Sequence, residues 1–157
     1  MQDGTLRSSS GLRRSPFNPL TDDEIDHLKS EIAAIGADDS VFLFNVGART
    51  SYDDKIDKIF VRGDVFPNHS STHPRDLMSE RAVLAHEYYG HRVYRGTHLD
   101  IGAWNDEFRA SYMAAKNAPG LTNEDKRFLV LDALERAITA GVGVSNNDLI
   151  RRVLYGY

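Results

Sequence analysis

The sequence predicts an α+β fold, mostly helical, with a small sheet of two or three strands beside one chemically loaded helix. Three observations predict it. Apolar residues recur at helical spacing in several segments that carry their own start and stop signals. Two short runs rich in Val, Ile and Phe, Val41–Val46 and Lys58–Phe66, read as strands and are too few for a large sheet. The length of 157 residues, 41% hydrophobic and 27% charged, suits a single core.

Residues 1–19 read as a flexible linker or tail, and 20–157 as one domain. Ser8-Ser9-Ser10-Gly11 is flexible, Arg7, Arg13 and Arg14 are expected in solvent, and Pro16 and Pro19 prevent regular structure. Thr21 and Glu24 form a capping box ahead of Ile25, Leu28, Ile32 and Ile35, and Gly36 stops that helix. The two strands follow. Asn68–Arg75 is a polar loop, and Pro74 suits the first turn of the next helix. Leu77, Arg81, Leu84, Tyr88 and His91 mark one face of that helix.

Trp104–Asn117 reads as a further helix, closed by Pro119-Gly120, with Ala110, Ser111 and Ala114 as a small-residue stripe that Glu107 shares. Thr122, with Asp125 at the third helical position, caps the next, whose expected core stripe is Phe128, Leu131, Leu134 and Ile138. Gly141 ends it. Ser145 is the expected cap of a last short helix with Leu149, Ile150 and Val153 inward.

Composition narrows the function. A net charge of −4 argues against nucleic acid as a partner. No apolar run approaches membrane length, and the first residues lack the apolar core of a signal peptide. The absence of cysteine excludes disulfides, thiolate metal sites and a thiol nucleophile, and leaves the compartment open. No Gly-x-Ser-x-Gly elbow is present, and Gly141-Val142-Gly143 is too short for a phosphate loop.

What remains is His86-Glu87-Tyr88-Tyr89-Gly90-His91. Two imidazoles flank a carboxylate, as in the zinc-protease signature, but the second His falls at i+5 and not i+4. On a regular helix i and i+5 lie about 140° apart, too far to share an ion. One widened turn with an i→i+5 hydrogen bond returns them to one face, and Gly90 tolerates that distortion best. The competing reading makes Gly90 the helix stop and leaves His91 in a loop. A zinc ion held by two His needs a third protein ligand and an open position. Glu107 is placed to serve on the following helix.

The run His86–His91 resembles the His-Glu-x-x-Gly-His helix of the dipeptidyl peptidase III family of zinc peptidases. Asp106-Glu107-Phe108-Arg109-Ala110 resembles that family's Glu-Glu-x-Arg-Ala run. The resemblance implies zinc on His86, His91 and Glu107, Glu87 as the group that activates water, and Asp106 as an acid that orients a ligand imidazole. It covers about a dozen residues, and Asp106 stands where the family has Glu. The runs His73–Ser79 through His91 and Trp104–Tyr112 are similar to the compact zincin-like peptidase domains of bacterial polymorphic toxins. That resemblance implies a minimal zincin, delivered as a domain of a larger bacterial protein, with a protein or peptide substrate and a cognate inhibitor or immunity protein.

The expected reaction is zinc-dependent peptide hydrolysis with Glu87 as general base. The Lys58–Phe66 strand is the expected substrate-aligning edge. Tyr112, His69, His73 and Tyr94 are the candidates for stabilising the oxyanion. His98 and Asp100, with Asp106, are the reserves for the third ligand. The alternatives are a catalytically inert zincin-like module that binds a partner protein and a metal-free helical interaction domain. An intact Glu87 between the two histidines argues against the first.

Overall fold

Thr21 begins the first helix, as its hydroxyl predicts. The computed structural model describes residues 13–68, 72–95, 103–141 and 147–155, and of 103–105, 148 and 155 the backbone alone. Helix α1 spans Asp22–Ala34, and Thr21 and Glu24 close the capping box from both sides. Leu28, Ile32 and Ile35 are fully buried. Gly36 takes a φ of 68° just past the helix, a conformation that favours glycine.

Strands β1 (Phe42–Phe44), β2 (Ser51–Asp53) and β3 (Lys58–Val61) form a mixed sheet in the order β1-β3-β2. β1 runs parallel to β3, with Phe42 opposite Ile59; β2 runs antiparallel, with Tyr52 opposite Ile59. Alternation along β3 sends Ile59 and Val61 into the core. Both expected strands end early for visible reasons. Asn45 adopts a φ of 60°, and its side-chain amide bonds the N–H and C=O of Leu20, which closes β1. Gly63–Val65 turns as a 3-10 helix, which closes β3 before Phe66. β2 has no apolar run to announce it. The expectation of an edge role for the 58–66 strand is wrong: β3 is the central strand, and the sheet edge beside the site is β2.

Residues 13–19 depart from the flexible lead-in expected of them. The Arg13 guanidinium donates to the carbonyls of Asp64, Val65, Arg75 and Met78. Burial pulls it down to about 10, against the opposing pull of Asp64 and other acids. Arg14 pairs with Glu24, and the Arg62 side chain donates to the Pro16 carbonyl. Gly63 leaves room for this crossing, because a Cβ there would stand 2.5 Å from the Ser15 carbonyl oxygen.

The helix expected to run from Pro74 through His91 is broken. Helix α2 (Pro74–Leu77) stops, and Ser79 caps α3 (Glu80–Ala85), accepting from the Ala82 N–H and donating to Asp125 at 2.5 Å. His86–Arg92 then continues as a π-helix. Helix α4 (Ala103–Asn117) packs against both this π segment and α5 (Asn123–Thr139).

The Thr122/Asp125 capping box forms as expected. The stripe of α5 holds in part: Phe128 and Leu134 pack partly buried against the core, Leu129, Val130, Ala133 and Ala137 are buried more deeply, and Ile138 is 74% exposed. Asp132 is also fully buried on this helix. Helix α6 (Asp148–Tyr155) is capped by Asn147, whose side-chain oxygen accepts from the Ile150 N–H at 2.9 Å. Ser145 lies outside the described residues. No helix among the described residues is long and apolar enough to cross a membrane.

Candidate metal centre

The extra residue between the histidines is absorbed by the π segment. The Val93 N–H reaches back to the Tyr88 carbonyl at 3.1 Å, an i→i+5 bond. The widened turn brings His86 and His91 together, with ring centroids 4.8 Å apart and planes at 78°. Of the two readings of Gly90, the helix continues through it. Its reason is different from the backbone tolerance expected. A Cβ on Gly90 would lie 2.4 Å from the Ala110 carbonyl oxygen and 2.6 Å from its Cα, so only glycine lets α4 approach this closely.

Aromatic side chains hold the segment in place. Tyr89 donates to the Ile35 carbonyl at 2.6 Å, and Tyr88 stacks on Phe42. Arg92 forks onto Asp57 at 2.9 and 3.0 Å, and Asp57 also accepts from the Tyr52 hydroxyl at 2.9 Å. The β2–β3 turn is thereby fastened to the end of the π segment, with β2 alongside.

That close approach delivers Glu107. Its Oε1 lies 2.9 Å from His86 Nε2 and 3.2 Å from His91 Nε2. Asp106 stands to one side, its Oδ2 3.4 Å from His91 Nδ1, and it is 48% exposed. His86, Glu87 and His91 each offer a donor atom within 4.8 Å of the others, and so do His91, Asp106 and Glu107. In a tetrahedral zinc site with bonds of about 2.0–2.2 Å, neighbouring ligand atoms sit roughly 3.3–3.5 Å apart. Each of the two nitrogens is already spaced near that from the Glu107 oxygen. The donor set of two imidazoles and a carboxylate fits zinc with a position left open.

The electrostatics follow from this convergence. Burial works against the charge on Glu107, but hydrogen bonds from both histidines outweigh it and hold the carboxyl well below its usual range. Burial likewise opposes charge on His91. The Glu107 hydrogen bond and the charges of Glu87, Glu107 and Asp106 win, and raise it to about 9. Glu87 is 8% exposed, and burial pushes its carboxyl up, with the two imidazoles opposing.

All these groups open on one cavity of about 460 Å³. β2 contributes Ser51 and Tyr52 to its wall. Arg13, Arg75, Arg109 and Arg136 also line it, none of them singled out from sequence as site residues. Of the three oxyanion candidates among the described residues, Tyr94 lines the cavity and Tyr112 and His73 do not. Tyr112 stacks on Phe108 and accepts from Asn147; His73 pairs with Glu135 and is 60% exposed. His69, like His98 and Asp100, lies outside the described residues.

One set of residues escaped the sequence reading. His86 Nδ1 lies 2.9 Å from Ser111 Oγ, Ser111 donates to Asp132 Oδ2 at 2.6 Å, and Arg136 Nε donates to the same oxygen at 2.9 Å. A signal was present: Asp125, Asp132 and Arg136 share a helical face with Leu129 and Ala133. No family model, curated protein or solved structure matches the chain.

Proposed function

We propose that the protein is a zinc-dependent peptidase of the zincin kind, with His86, His91 and Glu107 as the zinc ligands and Glu87 as the general base. One observation carries the reading: the Glu107 oxygen of α4 stands 2.9 and 3.2 Å from the two imidazole nitrogens of the π segment, and a buried second carboxylate, Glu87, lies within ligand distance of both histidines. A structural His–Glu pairing has no need of Glu87 at that place.

Zinc, when bound, supplies a Lewis acid that makes a water nucleophilic at neutral pH and polarises the scissile carbonyl. Glu87 takes the proton of the attacking water and passes it to the leaving amine. Its raised affinity for a proton suits both halves of that task. Asp106 steadies the His91 ring. An extended peptide chain aligns along β2, the edge strand on the cavity wall, through its backbone groups. Tyr94 is the oxyanion candidate that the cavity favours. The role of a toxin or effector domain within a larger bacterial protein, with a cognate inhibitor as partner, rests on the motif resemblance alone.

The test is elemental analysis joined to one variant. Purified chain is expected to hold one zinc, lost on chelation and regained on titration. Glu87→Gln is expected to keep zinc and lose peptide hydrolysis by about 10²-fold or more. Zinc retained with no hydrolysis by the wild-type chain against a broad peptide library leaves the inert binding module standing. A chain that takes up no zinc at neutral pH sinks the reading whole.

A further inference from the structure

We propose that Ser111 and Asp132 are positioning residues that fix the protonation of the His86 ring, so that Nε2 and not Nδ1 is delivered to the ion. The proposal rests on the zinc reading above and assigns work to two residues outside the ligand set.

The argument is a count of protons. A serine hydroxyl has one proton to give and lone pairs to accept with. Ser111 Oγ donates to Asp132 Oδ2 at 2.6 Å, an oxygen that also accepts from Arg136 Nε, so the hydroxyl proton is committed there. His86 Nδ1 lies 2.9 Å from the same Oγ. With the hydroxyl proton committed, this contact is a hydrogen bond only if Nδ1 carries a proton and donates it. With zinc bound the ring is neutral and holds one proton; Nδ1 keeps it against Ser111, and the Nε2 proton that Glu107 accepts in the metal-free chain gives way to the ion. Nε2 is the atom that faces Glu107 and the cavity.

Two guanidinium groups also stand against Asp132. Arg136 Nε donates to Oδ2 at 2.9 Å, and Arg75 Nε lies 3.6 Å from Oδ1. Ser111 and Asp132 are both 0% exposed. An ionised group that deep costs several kcal/mol unless it is paired. An apolar residue at 132 would fill the space between α4 and α5 without that cost, so packing alone does not account for the Asp. A chain of donors ending on a ligand imidazole does, and such outer partners fix a ligand's tautomer and orientation. Among the described residues the acid beside His91 Nδ1 is Asp106, 48% exposed and 3.4 Å away.

The experiment uses the full chain loaded with zinc, with ¹⁵N-labelled histidine. In the wild-type protein, His86 is expected to show a proton on Nδ1 that exchanges slowly with water, and zinc on Nε2. Ser111→Ala fits the small-residue stripe of α4. It is expected to bind zinc about 10–100-fold more weakly in competition with a chelator, the usual effect of losing such a partner. Its Nδ1 proton is expected to exchange quickly. Ser111→Thr, which keeps the hydroxyl, is expected to restore both. A purely structural Ser111 would change thermal stability and leave the exchange of that proton alone. Zinc on Nδ1 of wild-type His86 overturns the proposal and needs no variant, so a Ser111→Ala chain that fails to fold does not shelter it. A folded Ser111→Ala chain that holds zinc as tightly as wild type also overturns it, while the zinc reading stands. A wild-type chain that takes up no zinc removes the reading and the proposal together.

Discussion

Helix α1 and the π segment both turn a face to the interior, and they do it by opposite means. α1 is regular, opens with a complete capping box and buries Leu28 and Ile32. The π segment is irregular, has no side-chain cap and buries His86, Glu87 and Gly90. Aliphatic burial has no direction, so α1 needs only the right side chains at the right spacing. Polar burial is directional. Tyr89, Arg92 and the two histidines of the π segment find partners at the end of α1, in the β2–β3 turn and on α4, with the outer chain from Ser111 running on to α5. The first region supplies stability, and the second holds ionisable groups close together where they would otherwise avoid one another.

Perturbing the two regions should therefore give different signatures. The largest effect is expected on the aliphatic side. Leu28→Ala should lower the unfolding free energy by about 2–5 kcal/mol in denaturant titrations. The protein that remains folded should bind zinc as wild type does, and a weakened zinc affinity would show that the regions are coupled.

The second effect belongs to the polar side and needs no mutation. In chelated protein, His91 is raised from 6.5 to about 9, so its contribution is whole below about pH 6.5 and is lost as pH rises through 9. Glu107 is depressed from 4.5, so its contribution is present above that value and is lost as pH falls through its lowered one. Glu87, raised by burial, adds to the loss on the alkaline side. Metal-free protein should be roughly 3 kcal/mol less stable at pH 9 than at pH 6, at about 1.4 kcal/mol per unit of the His91 shift. Denaturation midpoints at the two pH values measure it, and equal midpoints would separate His91 from Glu107.

Next comes the contact between the π segment and α4. Gly90→Ala places a methyl against the Ala110 backbone and should cost about 1–3 kcal/mol in thermal or chemical unfolding. Because α4 carries Glu107, it should weaken zinc as well, unlike Leu28→Ala. The smallest effect is expected at Ile138, 74% exposed at the end of α5. Ile138→Ser should change stability by no more than about 0.5 kcal/mol. A large loss there would restore the face of α5 that periodicity alone suggests.

The same contrast explains what could be read from the chain. Thr21 and Thr122 were legible as caps because the whole device lies within four consecutive residues. The stripe of α1 was legible because aliphatic periodicity and burial coincide there. On α5 they part in places, since Asp132, bonded to Ser111 of another helix, is fully buried while Ile138 is exposed. β2 was hidden because Ser51-Tyr52-Asp53 gains its partners from β3 and carries no hydrophobic pattern. Arg13 read as a solvated charge because its four carbonyl acceptors come from residues 51 to 65 positions away. His86, His91 and Glu107 were legible as a cluster because one widened turn and one neighbouring helix suffice to gather them. Ser111 and Asp132 were not singled out, because their partners lie on other helices, and the one local trace was charged residues sharing a face of α5 with Leu129 and Ala133.

The π segment also has a meaning in terms of insertion and deletion. A wide turn lets a helix carry one more residue than a regular one while the chain beyond it keeps its bearing. Tyr88 and Tyr89 sit in the stretch that absorbs the surplus, and each is anchored to the region before the sheet, through Asp38 and Ile35. A chain one residue shorter could present the same two imidazoles from an unbroken α-helix, at the familiar spacing of four. Two sequences that differ by this single gap would align poorly across the motif and still superpose on the face that meets Glu107. For a site of this kind, kinship is better sought in the direction the side chains take than in the number of letters between them.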